Sequence, residues 1–255
     1  MKKRSYVLIA IISYLLILIA TLPARSITPL LSDNTQLSLH GVTGTLWNGT
    51  ASIISINNKL RLSDTRWDLI DWKMLTGKLA IELNSHYQGN DINAEVGSSF
   101  LGTYFVNNLT ASLTASELAQ LANLPLIQLS GKISLDIKHA QWKQGSIPVA
   151  TGVIDWHNAT VTVAETVALG NVSIALGESD KKQLQADIKN QGGDIKISGN
   201  AELIPDTDYA VNIKLLPSAS ASDNIKRSLG LFAKQQRNGE FLFVNTGSLN
   251  QIGLI

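Results

Sequence analysis

With 21 basic against 20 acidic residues in 255, the chain has a formal net charge of +1, and so balanced a charge leaves no electrostatic footprint for nucleic acid or a strongly acidic substrate. Cysteine is absent, which excludes disulfides, thiolate nucleophiles and Cys-based metal or iron–sulfur sites. Charged residues make up only 16% of the chain, and its richness in Ser, Thr, Asn, Gln and Gly suits an exported β-protein better than a cytosolic enzyme.

The first element follows from Lys2, Lys3 and Arg4, which precede an uncharged run from Tyr6 to Leu22 broken only by Ser13 and Thr21 and closed by Pro23 and Arg25. As a helix, roughly 17 residues rise about 26 Å, close to the ~27–30 Å hydrocarbon core of a bilayer, so the run is predicted to span one. A cleaved signal peptide starts in the same way, but cleavage needs small residues at the two positions flanking the cut. A cut after Ala24 places Leu22 at the outer position and a cut after Ala20 places Leu18 there, so an uncleaved anchor is expected. Three positive charges before the run and one just after it place the N-terminus in the cytoplasm and the chain beyond about residue 25 on the far side. The expected division is a cytoplasmic stub and anchor over 1–25, then one β-rich domain over 26–255.

Beyond the anchor, apolar and polar residues alternate with period two, the mark of half-buried strands. The runs include Leu79-Ile81-Leu83, Ile133-Leu135-Ile137, Val172-Ile174-Leu176, Leu184-Ala186-Ile188 and Tyr209-Val211-Ile213-Leu215. Glycine-bearing turns separate them at intervals too short for the helices that parallel crossovers need, which predicts an antiparallel meander. Two stretches break the pattern. Ser116 is placed to cap a short helix carrying Leu118, Leu121 and Leu124 and ended by Pro125, and a second helix is expected from Asp223 to Phe232, with Ile225, Leu229 and Phe232 on one side. Residues 217–222 read as a loop, and a last hairpin is expected around Asn238-Gly239. The predicted fold class is therefore mainly β: an N-terminal transmembrane helix, then a curved, mostly antiparallel meander with one or two short helices. A sheet apolar on one face must cover that face or curl around it, and a curled sheet leaves a groove.

Chemistry is sparse. The histidines at 40, 86, 139 and 157 have no metal-ligand spacing. Ser179-Asp-Lys-Lys182 and Ser222-Asp-Asn224 match two elements of penicillin-recognising enzymes, but Gly177-Glu-Ser-Asp180 reads as a turn and no Lys-Thr-Gly follows. Asp64, Asp68 and Asp71 surround Trp67 and Trp72, and paired carboxylates beside tryptophan suit a glycosidic bond. Alternating charge on an exposed strand face, with the tryptophans packed inward, explains the same residues. The Asn-x-Ser/Thr triplets at Asn48, Asn108, Asn158 and Asn171 are expected by chance in such a composition. Gly44, Trp47 and Gly49 are assigned to the fold, the glycines to tight turns or close backbone approach and Trp47 to core space. No catalytic, cofactor-binding or metal-ligating residue is nominated, and no cofactor is expected.

Gly41-Val-Thr-Gly-Thr-Leu-Trp-Asn-Gly49 resembles a motif of protein N of the bacterial type II (general) secretion pathway. Further matches follow in order: Trp67-Asp-Leu, Leu75-Thr-Gly-Lys-Leu79, Leu124-Pro-Leu126, Leu129-Ser-Gly-Lys-Ile133, Gln141-Trp142 and Gly152-Val-Ile-Asp-Trp156-His-Asn-Ala159. The resemblance covers nearly the whole chain. It implies a non-catalytic accessory component of an inner-membrane secretion assembly, single-pass through residues 6–22, with a periplasmic domain that contacts other inner-membrane secretion components. The glycine-led strands are similar, more loosely, to AsmA-like envelope proteins, which implies the alternative of lipid or another apolar ligand in the groove. Partner contacts are expected at exposed sheet edges, where unpaired backbone accepts a further strand, and at the anchor.

Overall fold

The computed structural model describes residues 2–26, 28, 37–56, 60–122, 127–162, 165–179, 183–204, 208–219 and 221–248. Contacts divide the chain into two units, Met1–Asn93 and Ala94–Ile255. Each is mainly β and antiparallel, with only short helices beyond the N-terminal one.

The first unit opens with α1 (Lys2–Ala20). The expected spanning helix over 6–22 is not found. The helix starts inside the basic cluster and stops two residues before Leu22, because a residue preceding proline is driven out of the helical region by the ring of Pro23. The uncharged part from Tyr6 to Ala20 rises only about 22 Å, against ~30 Å for a bilayer core. Among the described residues, no helix is long and apolar enough to cross a membrane.

After a 3₁₀ turn, Ala24–Ser26, come β1 (Leu37–His40), β2 (Thr43–Gly44), β3 (Asn48–Ile56), β4 (Leu60–Leu69), a single helical turn α2 (Asp71–Met74) and β5 (Lys78–Tyr87). The pairing order is β1-β3-β4-β5, with β2 also on β3. β6 (Asn90–Ser99) runs through the division between the units. Ala51 and Ile54 of β3, Leu62 and Trp67 of β4 and Ala80 and Tyr87 of β5 are buried. Strict alternation would not bury both Leu62 and Thr65, which stand an odd number apart. Asp64 takes a positive φ of 48° at a register shift between Ser63 and Arg66, a bulge that turns the strand over. Thr65 is thereby fully enclosed, with its hydroxyl 2.8 Å from that of Ser85. Ser85 in turn donates to the Ser63 carbonyl at 3.2 Å, so the buried pair is satisfied.

The second unit contains β7 (Thr103–Thr114), α3 (Ala115–Leu121), β8 (Gln128–Lys143), β9 (Val149–Thr162), β10 (Thr166–Glu178), β11 (Leu184–Gln191), β12 (Ile195–Ile204), β13 (Asp208–Pro217), α4 (Asp223–Leu229), β14 (Lys234–Gln235) and β15 (Phe241–Ser248). Strands pair in chain order from β7 to β13, then β15, then β14. All five alternating runs named from the sequence are strands, as is the final hairpin. The cap of α3 is Thr114, not Ser116. Thr114 accepts from the Glu117 amide at 3.3 Å while Glu117 accepts from the Thr114 amide at 2.8 Å. That reciprocal box needs an acid three residues after the cap, which Thr114 has and Ser116 lacks. Leu124 and Pro125 lie outside the described residues.

α4 is capped by Ser222, whose hydroxyl accepts from the Ile225 amide at 3.2 Å. It ends at Leu229, short of Phe232, because Gly230 is a poor helix former. Ile225 and Leu229 pack with Ile195, Ala221, Ala233 and Phe241 in a buried cluster. Phe232 is largely exposed, its ring edge-on to Phe243 at 6.1 Å.

Candidate functional site

Two places on the molecule present something other than packed sheet. The first is the junction that ties α1 to the first unit. The segment Gly41–Gly49 folds back on itself because Gly41 and Gly44 take φ of 64° and 85°, conformations that only glycine adopts at no steric cost. An added Cβ at Gly44 would stand 2.5 Å from the Asn48 carbonyl oxygen. The Leu46 amide donates to the Leu22 carbonyl at 2.9 Å, and Pro23 bridges Thr45. The indole N–H of Trp47 donates to the Ile19 carbonyl at 2.8 Å, which also accepts from the Leu22 amide at 3.3 Å, so the last turn of the helix is tied to the loop. Trp47 is therefore half-buried and holds the helix end, where core filling was expected of it. The core position belongs to Trp67, 8% exposed, whose indole donates to the Leu46 carbonyl at 3.2 Å.

From Tyr6 onward α1 is apolar on all sides but for Ser13. Tyr6, Val7, Ile9, Ile11, Tyr14 and Ile17 are each more than half exposed. A helix hydrophobic all round belongs in an apolar surrounding, not in water.

The second place is the outer edge of β15. Its inner side pairs with β13 along its full length, but β14 covers only Phe241 and Leu242 on the other. Among the described residues nothing pairs with Val244–Ser248 on that side, and Val244 is 59% exposed. Such an edge is a template for another strand. Near it, Lys214, Gln236, Arg237, Asn238, Glu240 and Leu242 line an open hollow of about 470 Å³.

The carboxylates singled out from the sequence do not converge. Asp68 accepts a hydrogen bond from the Asn48 side-chain amide and pairs with Arg66 at 3.6 Å. Asp71 heads α2 and Asp64 forms the bulge. Trp72, expected to pack inward with Trp67, is 63% exposed, because α2 carries it off the sheet before β5 begins. The histidines are also apart in their roles: His139 Nδ1 lies 2.6 Å from the Asn107 side-chain oxygen, and His86 Nε2 lies 3.0 Å from Asp91. Among the described residues no three His, Asp or Glu side chains gather to hold a metal ion. Residues 180–182 of the Ser-x-x-Lys match lie outside the described residues. Neither the pinning role of Trp47 nor the open side of β15 was read from sequence; only the glycines flanking Trp47 signalled an unusual loop there.

The described residues thus form an antiparallel meander, with an apolar helix held at its exit in the first unit and an open edge strand in the second. The family model for the type II secretion system (T2SS), protein N, matches residues 35–244, and the chain belongs to that family. It is 26% identical over 254 residues to the type II secretion system protein N of Aeromonas hydrophila, covering 94% of this chain and 97% of that protein. To the protein of the same name from Vibrio cholerae serotype O1 it is 23% identical over 224 residues, 84% of this chain and 85% of that one. No solved structure matches. The resemblance drawn from the motifs is thus borne out, and the chain is a type II secretion component.

Proposed function

We propose that the chain is a non-catalytic accessory component of the secretion apparatus, acting through protein–protein contacts of its β-rich body, residues 26–255, in the periplasm. Residues 1–25 hold that body to the bacterial inner membrane in a single pass, with the N-terminus cytoplasmic. Family membership over residues 35–244 carries this reading. The exposed apolar surface of α1 supports the membrane attachment. Its short uncharged stretch is accommodated by local thinning of the bilayer, at a modest cost per ångström of mismatch. The outer edge of β15 supports strand addition as the mode of contact, since main-chain hydrogen bonds there give affinity without a specialised site.

A second reading, lipid or another apolar ligand on the sheet, is favoured by the alternating rows Leu184-Ala186-Ile188 and Val211-Ile213-Leu215, which remain only half-buried. One experiment separates the two. A photocrosslinking amino acid placed at Val244 and activated in cells making the secretion apparatus is expected to capture inner-membrane secretion proteins. Capture of lipid alone favours the second reading, and capture of neither partner counts against both.

A further inference from the structure

We propose that the turn between β4 and β5, residues 70–77, is an interfacial membrane contact that lies in the lipid headgroup layer beside the exit of α1. The inference rests on the reading of α1 as the membrane attachment and adds a second point of attachment to it.

The turn exposes an unusual set of side chains for one water-facing corner: Trp72 at 63%, Met74 at 43% and Leu75 at 91%. The ammonium group of Lys73 stands 5.3 Å over the Trp72 ring, and Lys78 follows at the start of β5. Contiguous exposed apolar side chains on a folded unit mark a contact surface. A tryptophan with a lysine beside it, next to aliphatic side chains, suits the boundary between acyl chains and headgroups. There the ring sits at headgroup level and the ammonium meets anionic lipid.

Position selects that occupant over a protein. Two hydrogen bonds connect the last residue of β4, which leads into the turn, to the end of the apolar helix. The Leu69 amide donates to the Trp47 carbonyl at 2.7 Å, and the Trp47 indole donates to the Ile19 carbonyl at 2.8 Å. From Leu69 to Trp72 is only three residues, at most about 11 Å of chain. When α1 occupies the bilayer, its C-terminal end lies at the surface, and the turn is held near that point by one backbone bond and the Trp47 indole. The second attachment fixes how the first unit faces the membrane, which one flexible linker would leave free.

The absence of cysteine makes the test direct. Full-length Leu75→Cys, and Arg61→Cys at the opposite end of β4 as control, are labelled with an environment-sensitive fluorophore and reconstituted into phosphatidylethanolamine–phosphatidylglycerol vesicles. Flotation with the vesicles reads α1. Quenching by lipids brominated near the headgroup reads the turn, and is expected to be roughly two-fold or more stronger at position 75 than at 61. Flotation with equal quenching at both positions overturns the interfacial contact while leaving the α1 reading intact, and loss of flotation overturns both. A spectral shift at position 75 that follows protein concentration and not lipid identifies a second copy as the occupant, and also overturns it.

Discussion

Replacing Phe241 by Ala is expected to destabilise the end of the second unit by about 3–5 kcal/mol, the usual cost of deleting a buried aromatic ring whose space cannot refill. Phe241 is 4% exposed and packs with Ile195 of β12, Ile225 and Leu229 of α4, and Ala221 and Ala233 on either side of that helix. α4 has only seven residues, too few to persist by its own hydrogen bonds, so its helicity depends on that cluster. The same ring belongs to the first residue of β15, opposite Leu215 and Gln235. Its loss is therefore expected to free α4 and the β14–β15 hairpin together. Hydrogen exchange of the α4 and β15 amides in the full chain is expected to accelerate on the order of a hundred-fold or more. Val244→Ala, on the exposed side of the same strand, is expected to stay within about 0.5 kcal/mol of wild type. Equal exchange in Phe241→Ala and wild type would show that the cluster does not hold the hairpin.

The second large effect is expected at Gly49, where the cause is space and not conformation. A Cβ there would stand 2.5 Å from the Trp67 ring and 2.7 Å from the Thr43 carbonyl oxygen. Neither neighbour can retreat cheaply. Trp67 is held by its bond to the Leu46 carbonyl, and Thr43 is paired with Thr50 across β2 and β3. Gly49→Val is expected to cost about 3 kcal/mol, with the strain relieved by opening the Gly41–Gly49 loop. That loop holds the exit of α1 through Trp47, Leu46 and Thr45, so the exposed Arg25 just beyond it should become a faster tryptic site, roughly ten-fold if the loop opens locally at about 1.4 kcal/mol lower cost. Gly89 provides the control, because its φ is 82° but a Cβ would meet nothing within 4 Å. Gly89→Ala is expected to cost only the left-handed backbone strain, about 1–2 kcal/mol, with cleavage at Arg25 unchanged. Unchanged cleavage in Gly49→Val would separate the loop from the helix exit.

The strands were legible because burial on one face writes itself into the sequence with period two, as at Ile133-Leu135-Ile137 and Tyr209-Val211-Ile213-Leu215. Of the glycines expected in turns between strands, Gly131 and Gly152 lie instead inside β8 and β9, with positive φ of 108° and 155°, at or next to register shifts of β8 against β9. What composition did not reveal was where a strand turns over. Asp64, Asn108 and Asn158 all take positive φ near 50° inside or beside strands, and which Asx does so is decided by the partner strand's register, not by its neighbours in sequence. The same limit explains Trp72. Trp72 stands five residues from Trp67, so even a continued β4 would turn it to the opposite face, and the chain in fact leaves the sheet at Ile70, whose amide bonds to the Ala80 carbonyl. α1 ends two residues before the apolar run does, because Pro23 drives Leu22 out of the helical region whatever its apolarity. Trp47 was assigned to the core because its hydrogen bond to Ile19 spans 28 residues and leaves no local trace. At the junction the family match, over residues 35–244, includes the Gly41–Gly49 motif, yet neither motif nor composition distinguished a pinning tryptophan from a packed one.

The body is expected to work only while α1 holds it at the membrane. That is tested by measuring export of type II substrates into the medium from cells lacking the chain and complemented in two ways. One strain receives the full protein. The other receives the body alone, with residues 1–22 exchanged for a cleavable signal peptide that delivers it free to the periplasm. At matched protein levels the full chain is expected to restore export and the freed body to leave it near that of the deleted strain. Full restoration by the freed body would show that it works without α1 and needs no hold on the membrane.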